Sequence, residues 1–444
     1  MKNIAIIGAG LSGLVSAWYI KEFHPEVKVT IFEADKTGGQ ISTHEFNNTL
    51  IESGPLFLLL ENPVLHHIVS RIQPEGLIPC KDEKAYVLKD TYYQKAPGGF
   101  MEFENGMFSF FSGGFSSFFG LKKKASLWET VSFFDFLKST YGLNYAETLG
   151  SAFARNIFFT EAENLNFSAA YPDLYRELKK GKNLKDTLAS YGSETKSYWQ
   201  KEINGTFTPG IYYYKGGLSK LISDITADIK TRGCQIEISK IYEIGGKQGE
   251  YFLHSRKNKY GAFDKIISTV SAPEQSNIWK VLHKELSLKL AELKHRSVSC
   301  IYSAYNPKDF NRAGLGFFAP RKEKLTISGA WYINSINQDI ENSNQFITGT
   351  LIPGDLSLFS DQELIDIQIN DFEKVFSLKT KPLWSQVIRR ESAGPLLDNH
   401  YLPWKNSVAD YLREMPDIAL TGNDMASGEI NQILDQAYHI AKSL

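Results

Sequence analysis

A glycine-rich turn near the start of the 444-residue chain constrains its fold more than any other feature. The apolar run Asn3–Ile7 predicts a buried strand, the run Leu11–Phe23 predicts a helix, and residues 27–32 predict a second strand. Between the first strand and the helix, residues 8–13 read GAGLSG, a G-x-G-x-x-G motif at a strand-to-helix turn. The sequence therefore predicts a βαβ unit that binds a dinucleotide.

Each position of this motif has a physical role in holding a pyrophosphate. Gly8 permits the tight turn, Gly10 lets the backbone approach the phosphates, and Gly13 lets the helix pack closely on the strand. Leu11 and Ser12 occupy the first helical turn, where N–H groups without helical partners and the positive end of the helix dipole face the anion. We therefore take all five as candidate cofactor-binding residues.

The carboxyl end of the second predicted strand completes the pattern. Glu33 lies 20 residues after Gly13, where a carboxylate can accept hydrogen bonds from a ribose, and Ala34 follows it. A second glycine pair, which ends at Gly39 and is followed by Gln40, would let the backbone pass close to the same cofactor. A simple Gly-Gly turn is the alternative explanation of that pair.

Composition and charge exclude several functional classes. With 49 basic and 50 acidic residues, the chain has no overall field that attracts nucleic acid. Its three cysteines are far apart and lack the spacing of metal ligands, which is typical of reduced cysteines in a cytoplasmic protein. The uncharged run 4–20 is interrupted by glycines, which favours the βαβ unit over a signal peptide or a membrane span.

Further motifs follow the glycine-rich turn in a fixed order. They are Glu33, GGQ at 38–40, ESGP at 52–55, YYYKGGLSKL at 212–221, FDKIISTVSAP at 263–273 and ALTGND at 419–424. This order resembles that of the protoporphyrinogen and coproporphyrinogen oxidases, in the flavin amine-oxidase superfamily. Among the departures from the family pattern, Gln40 replaces the usual basic residue, and Glu429 would bring a charge near the expected flavin ring.

The resemblance implies the architecture of the whole chain. It implies an α/β protein with a Rossmann-type FAD-binding domain built from discontinuous segments, a substrate-binding domain and a helical, membrane-facing lobe. The FAD-binding domain would comprise residues 1–78, 207–275 and 394–444. Residues 79–206 would form the helical lobe, and residues 276–393 would form the substrate-binding domain.

The same resemblance extends the set of candidate cofactor-binding residues. It adds to the residues that would contact FAD Gly54, Pro55, Ile241, Gly422 and Ile430. The absence of a suitably placed cysteine implies that the FAD is bound non-covalently. The implied reaction removes six electrons from protoporphyrinogen IX or coproporphyrinogen III in haem biosynthesis, with dioxygen as the acceptor. Because this chemistry centres on the flavin, no catalytic side chain and no metal ion are expected.

Several alternatives stay open at this point. An amine oxidase or a polyene desaturase of the same superfamily would carry the same cofactor motifs, and a flavin-binding protein without turnover would also fit. Arg155 and Lys95 are candidates, by location alone, for binding a substrate propionate, and a structural role is the alternative for each. The sequence does not separate a monomer from a homodimer.

A concentration of phenylalanine lies between residues 100 and 119, which contain eight of the 29 Phe residues of the chain. Lys122, Lys123 and Lys124 follow directly. Aromatic side chains beside a short basic run can lie in a bilayer interface, with the lysines at the headgroups. Residues 100–124 therefore predict peripheral contact with the inner face of the cell membrane for a cytoplasmic protein. The alternatives are that these rings line a substrate cavity or pack in the core.

Overall fold

The computed structural model describes residues 2–80, 84–89, 129–180, 197–203, 207–337, 340 and 344–444, together with the backbone of 100–103. Its strands are β1 Asn3–Ile7, β2 Lys28–Glu33, β3 Thr43–Phe46, β4 Thr49–Glu52, β5 Leu58–Leu60, β6 Leu77–Pro79, β7 Ala85–Leu88, β8 Phe100–Phe103, β9 Gly210–Tyr214, β10 Gln235–Ile238, β11 Glu243–Lys247, β12 Glu250–His254, β13 Lys259–Phe263, β14 Lys265–Ser268, β15 His295–Tyr305, β16 Gly316–Phe318, β17 Gly329–Tyr332, β18 Phe346–Pro353, β19 Trp384–Pro395 and β20 Ile418–Leu420.

The helices connect these strands and cover the sheets. The longer ones are Leu11–Phe23, Val64–Ile72, Phe133–Tyr141, Pro172–Lys179, Leu218–Thr231, Ala272–Trp279, Lys284–Ala291, Asp361–Phe376, Tyr401–Arg413 and Ile430–Lys442. Shorter turns are Leu143–Tyr145, Ala146–Gly150, Ser151–Ile157, Phe167–Ala170, Arg321–Glu323 and Ile333–Ile336.

A five-stranded parallel sheet in the order β10-β2-β1-β14-β20 forms the centre of one half of the molecule. Strand β1 lies in the middle with four of its five residues buried, which explains its uninterrupted apolar run. Parallel strands end at the same edge of a sheet, so the turn at 8–13 follows β1 at the edge where α/β proteins bind ligands. The α/β fold class is therefore confirmed.

The helix predicted over Leu11–Phe23 is confirmed with these bounds. It packs against the helices Ile430–Lys442 and Leu218–Thr231, and its residues 11–20 are all buried. The indole N–H of Trp18 donates a hydrogen bond to Asp228 Oδ2 at 2.7 Å, which ties two of these helices together. Because the helix is covered on nearly every side, its sequence lacks the polar stripe of a surface helix.

Strands from three distant parts of the chain meet in the parallel sheet. Strands β1 and β2 come from residues 1–78, β10 and β14 from residues 207–275, and β20 from residues 394–444. The convergence explains how one cofactor fold can be assembled from separated segments. The domain boundaries themselves stay a prediction.

A mostly antiparallel seven-stranded sheet, in the order β19-β15-β18-β17-β16-β7-β8, forms the second half. The helix Asp361–Phe376 covers one of its faces, where Phe372 packs among other aromatic side chains. The sheet includes β7 and β8, which belong to the segment 79–206 that we expected to be helical. The helices of that segment begin only at residue 133 in the part that the structure describes.

The helices between residues 133 and 179 pack through aromatic side chains. Phe136 and Phe167 stack with their ring centroids 3.7 Å apart, and Tyr171 packs beside them. Among the described residues, no helix combines the length and the apolar character that crossing a bilayer requires.

Candidate functional site

A cavity of about 600 Å³ opens at the carboxyl edge of the parallel sheet. One end is walled by the turn at 8–12 and by Glu33, and the other by residues of the seven-stranded sheet such as Val298 and Trp331. The loop after β20 and the start of the helix Ile430–Lys442 form a further wall. The cavity therefore joins the predicted dinucleotide site to the second sheet.

The glycine-rich turn has the geometry that its sequence predicts. Gly8 has a φ of +103°, and a Cβ atom added to Gly13 would lie 2.1 Å from the carbonyl oxygen of Gly8. Gly8, Gly10, Leu11 and Ser12 line the cavity, whereas Gly13 lies behind them at the contact between helix and strand. Close packing at Gly13 thus brings the first helical turn to the cavity.

Glu33 and Ala34 follow one another at the end of β2 and face different surroundings. Glu33 lines the cavity, and its carboxylate accepts hydrogen bonds from the backbone N–H of Ala9 at 2.8 Å and of Asp35 at 3.2 Å. These bonds fix the carboxylate, and its other lone pairs remain available to a ribose hydroxyl. Ala34 is exposed and lies outside the cavity wall.

Two loops approach each other beside the cavity at Gln40 and Gly54. A Cβ atom on Gly54 would lie 2.3 Å from the carbonyl oxygen of Gln40, so glycine permits this approach. Gly39, Gln40, Gly54 and Pro55 all line the cavity. The side-chain amide of Gln40 donates to the carbonyl oxygen of Ser392 at 2.9 Å, which links the two halves of the molecule.

The remaining predicted residues lie in two different places. Gly422, with a φ of +99°, turns the chain after β20, and Ile430 begins the last helix; both line the cavity. Ile241 is 4% exposed and packs in the core, away from the cavity wall. The side-chain nitrogen of Asn423, beside Gly422, is buried without a hydrogen-bond partner in the described residues.

Comparison with known proteins identifies the family. The profile of flavin containing amine oxidoreductases matches residues 11–430. The chain belongs to this family. It is an FAD-dependent oxidoreductase, and the cavity at the glycine-rich turn is the place in the fold where its cofactor motifs come together.

Several relatives of this flavin oxidoreductase match it over nearly its full length. It is 22% identical to coproporphyrinogen III oxidase of Staphylococcus aureus, over 95% of this chain and 94% of the relative. It is 21% identical to protoporphyrinogen oxidase 2 of Arabidopsis thaliana, over 95% of this chain and 89% of the relative. A crystal structure from Exiguobacterium sp. 255-15, provisionally named a protoporphyrinogen oxidase, superimposes with a TM-score of 0.73 at 17% identity over 100% of this chain and 98% of that one, which shows a shared fold.

The residues at the cavity fit FAD. No side chain caps the helix Leu11–Phe23, so the N–H groups of its first turn remain available to a pyrophosphate. The hydroxyl oxygen of Ser12 is buried without a partner in the described residues. A Cβ atom on Gly10 would meet no protein atom closer than 3.9 Å, so glycine here leaves room that the protein itself does not fill. These features together would hold the dinucleotide of FAD.

The wall opposite the cofactor motifs is largely apolar. Val298, Cys300 and Leu351 project from neighbouring strands of the seven-stranded sheet, and Trp331 lies beside them. Phe57 meets the Trp331 ring edge-on, with centroids 4.8 Å apart. Burial raises the pKa of the Cys300 thiol to about 12, so this cysteine stays a neutral, apolar neighbour of the cavity.

Two arginines in this wall were missed by sequence reasoning. Arg296 on β15 and Arg390 on β19 both line the cavity. The alternation of side chains along a strand was the available signal, because Arg389 and Arg390 must point to opposite faces of β19. Arg389 points away from the cavity and pairs with Asp361 at 2.7 Å.

A pair of acids lies beside the start of the last helix. Asn431 accepts a hydrogen bond from the backbone N–H of Glu61 at 2.7 Å and donates one to Glu429 Oε1 at 2.9 Å. Burial, together with the nearby Glu429, raises the pKa of Glu61 to about 8, and burial raises the pKa of Glu429. Burial also raises the pKa of Glu52, at the cavity wall, to about 7. The charge that the sequence places at Glu429 is therefore disfavoured.

The other sequence predictions fall outside this cavity. Arg155 donates to the carbonyl oxygen of Ala319 at 2.9 Å and pairs with Glu161 at 3.3 Å, so it holds a loop in place. Lys95 lies outside the described residues, as does the predicted membrane segment 100–124 apart from the backbone of β8. Within the described residues no group of three His, Cys, Asp or Glu side chains is arranged to hold a metal ion.

Proposed function

We propose that this flavin oxidoreductase oxidises a porphyrinogen, protoporphyrinogen IX or coproporphyrinogen III, to the corresponding porphyrin, with dioxygen as the electron acceptor. The observation that carries the proposal is the continuous cavity, which leads from the FAD motifs to an apolar wall containing Arg296 and Arg390. A porphyrinogen is a broad apolar ring with carboxylate side chains and matches both properties of this wall. The similarity to porphyrinogen oxidases along the whole chain supports the same substrate class.

The reaction balances without an acid–base pair on the protein. Each round removes a hydride from a carbon bridge and a proton from a pyrrole nitrogen. Three rounds remove six electrons, and the shift of one proton from the fourth bridge to a ring nitrogen then gives the aromatic porphyrin. FAD, when bound, accepts the hydride and passes two electrons to dioxygen, which gives one hydrogen peroxide per round. The described residues that line the cavity include neither histidine nor lysine, in keeping with chemistry centred on the flavin.

The task of the protein in this proposal is to position the substrate and exclude water. Leu56, Phe57 and Trp331 supply flat apolar surface, and Val298 and Leu351 close the wall behind them. Holding the ring in contact with these side chains would keep one bridge carbon near the cofactor and would remove bulk water from the reacting atoms.

The charge of the cavity weighs against an amine substrate. An aliphatic amine carries a positive charge at neutral pH, and two arginine side chains in the wall would repel it. The raised pKa values of Glu52 and Glu429 leave the wall with less negative charge than its sequence suggests. Among the described residues no carboxylate pairs with either arginine, so their charge would oppose a cationic substrate.

The decisive experiment mixes the purified, yellow protein with anaerobically prepared protoporphyrinogen IX or coproporphyrinogen III and follows porphyrin fluorescence in air. We expect porphyrin to form faster than in the boiled control, with three hydrogen peroxide molecules released per porphyrin. Benzylamine and a polyene serve as alternative substrates. Porphyrin formation no faster than the boiled control, from a protein whose flavin another substrate reduces, would overturn the proposal.

We further propose that residues 100–124 attach the cytoplasmic protein to the inner face of the cell membrane. The eight phenylalanines and the three lysines of this segment support the proposal. Deleting residues 108–119 should release the protein from vesicles in a flotation assay. Equal flotation of the deletion variant and the wild type would count against membrane contact.

A further inference from the structure

Arg296 is a buried cation that has no acidic partner among the residues that the structure describes. Its side chain is 7% exposed, and Nη1 donates to the carbonyl oxygen of Phe158 at 2.8 Å. Its Nε atom is buried and has no hydrogen-bond partner among the described residues. The guanidinium lies close to Gly394 and Gly428, where a Cβ atom would stand 3.1 Å and 2.7 Å from Nη2. The fold thus leaves room for an arginine head group here, but the described residues supply only one acceptor for its donors.

Arg390 is held in a similar way on the neighbouring strand. Its Nη1 atom donates to the carbonyl oxygen of Gly54 at 3.2 Å, in the loop that follows β4. The neighbours that act on its charge are the thiol of Cys300 and the phenol of Tyr302, and burial raises the pKa of both groups. Both neighbours are therefore neutral at physiological pH.

The sheet geometry brings the two arginines together. Val298 pairs with Arg390 and Arg296 pairs with Gly394, and a bulge separates these two pairings of β15 and β19. Residues 296 and 298 point to the same face of β15, so both guanidinium groups project from adjacent strands into one cavity. Burial, and after it the nearby charge of Arg390, lower the pKa of Arg296 to about 10. Both arginines still carry their charge at neutral pH.

The acids around the cavity are engaged in hydrogen bonds with other groups. Asp424 pairs with His295 at 2.8 Å and accepts from the backbone N–H of Ala272 at 2.7 Å, and Glu33 binds the turn at Ala9. Within the described part of the chain, no carboxylate forms an ion pair with Arg296 or Arg390. A buried cation beside a half-buried one, with no paired carboxylate among the described residues, is costly, and an anionic ligand would lower that cost.

We propose that Arg296 and Arg390 together bind a carboxylate group of the substrate inside the cavity. Arginine is suited to this task because its planar head group can donate two parallel hydrogen bonds to one carboxylate. The identification of that carboxylate as a propionate of a porphyrinogen rests on the proposed function. The pair would select free carboxylic acids over their esters, because an ester carries no charge to balance the two arginines.

The test compares Arg390→Gln with Arg389→Gln. Arg389 is the matched control, since it lies next to Arg390 on β19 but pairs with Asp361 on the opposite face. For coproporphyrinogen III we expect Arg390→Gln to raise KM by about tenfold or more, because one charge-assisted contact with the substrate is lost. The change in kcat should be smaller. Arg389→Gln should match the wild type. The tetramethyl ester should be a poor substrate for all three proteins, to the same degree.

A second measurement does not depend on porphyrinogen chemistry. Sodium benzoate is titrated into each FAD-loaded protein, and its binding is followed through the perturbation of the flavin absorbance. We expect wild type and Arg389→Gln to bind benzoate with the same affinity. Arg390→Gln should bind it at least about tenfold more weakly. Arg296→Gln is measured as a further variant. If Arg296→Gln does not fold, the result for Arg390→Gln alone decides whether the arginines bind a carboxylate.

The outcomes separate the two proposals. Benzoate binding that depends on Arg390, in a protein that does not oxidise porphyrinogens, would support the carboxylate site and overturn the proposed function. Porphyrinogen oxidation with the same KM in Arg390→Gln and wild type would support the function and overturn the site. A changed flavin reduction potential, with unchanged benzoate affinity and KM, would show that the arginines act on the cofactor and would also overturn the site.

Discussion

The hydroxyl group of Tyr302 donates a hydrogen bond to the backbone carbonyl of Glu52 at 2.7 Å and accepts one from the backbone N–H of Glu52 at 3.1 Å. Tyr302 lies on β15 of the seven-stranded sheet, whereas Glu52 ends β4 in the N-terminal part of the chain. The carboxylate of Glu52 in turn accepts from the backbone N–H of Leu218 at 2.9 Å. The phenol of Tyr302 is thus connected, through Glu52, to the first residue of the helix Leu218–Thr231.

Replacing Tyr302 by Phe should destabilise the protein. The change leaves the backbone N–H and carbonyl of Glu52 without their partner, and we expect a loss of about 1–3 kcal/mol in the free energy of unfolding. Tyr305→Phe is the matched control, because the hydroxyl of Tyr305 is buried on the same strand without a partner in the described residues. Urea unfolding should show that Tyr305→Phe is neutral or stabilising. Equal destabilisation by both substitutions would contradict the expectation.

Gly10→Ala should weaken FAD binding without harming the apoprotein. A Cβ atom at position 10 meets no protein atom within 3.9 Å, so a loss of affinity would arise from contact with the cofactor. We expect at least about a tenfold weaker Kd, measured by fluorescence titration of the apoprotein with FAD. Gly13→Ala should instead lower the stability of the apoprotein itself, since its Cβ atom would lie 2.1 Å from the carbonyl oxygen of Gly8. An unchanged Kd in Gly10→Ala would place the pyrophosphate elsewhere.

Glu61 should make the protein less stable as the pH rises. Burial raises its pKa from 4.5 in the unfolded chain to about 8 in the folded protein, so the folded state holds a proton that the unfolded state releases. Its contribution to stability is fully present below pH 4.5 and is lost as the pH rises towards 8. Glu61→Gln should flatten this decline and stabilise the protein at pH 8 by an amount on the order of a few kcal/mol.

The decline will not disappear completely in that variant. Glu52, whose pKa burial raises to about 7, changes stability in the same direction over a lower pH range. The exposed Glu45→Gln serves as the control and should leave the pH profile unchanged. A Glu61→Gln profile parallel to that of the wild type, in denaturant unfolding between pH 5 and about 8.5, would show that Glu61 is ionised in the folded protein.

Cys300 should resist alkylation although it lines the cavity. Burial raises the pKa of its thiol to about 12, and only the thiolate reacts at an appreciable rate. Burial likewise raises the pKa of Cys234 to about 11. Iodoacetamide at pH 8 should therefore leave both residues unmodified in the native protein and label them after denaturation, as peptide mass spectrometry can show. Rapid native labelling of Cys300 would point to a more open cavity.

Local sequence was sufficient to predict the cofactor end of the molecule. Three elements at this end are adjacent in sequence: β1, the turn at 8–13 and the helix Leu11–Phe23. In each, the local backbone conformation favours particular residue types, so the local sequence predicts it. The second strand was predicted one residue early, at 27–32 in place of Lys28–Glu33, because Val27 is buried but unpaired in the sheet. A short-range pattern carries this information because the unit closes within about thirty residues.

The substrate end could not be predicted in the same way. Arg296 and Arg390 are 94 positions apart in sequence and meet only because β15 and β19 pair. Arg155 has the same residue type and a plausible position, yet backbone carbonyls hold its side chain and it does not line the cavity. Which arginine faces a cavity depends on sheet register, and a one-residue shift would have exchanged Arg390 for Arg389.

The position of the edge strand β20 near the end of the chain determines when the cavity can be completed during translation. Its residues 418–420 and the helix Ile430–Lys442 complete a cavity whose first wall, the turn at 8–13, was made some 400 residues earlier. At roughly 5–20 residues per second, the ribosome would need about 20–80 s to deliver the last wall. During that interval the nascent chain presents an open, partly apolar cleft in which the cofactor cannot be enclosed. FAD can therefore be enclosed only after translation has passed β20, and a chain that ends before β20 should not retain the cofactor.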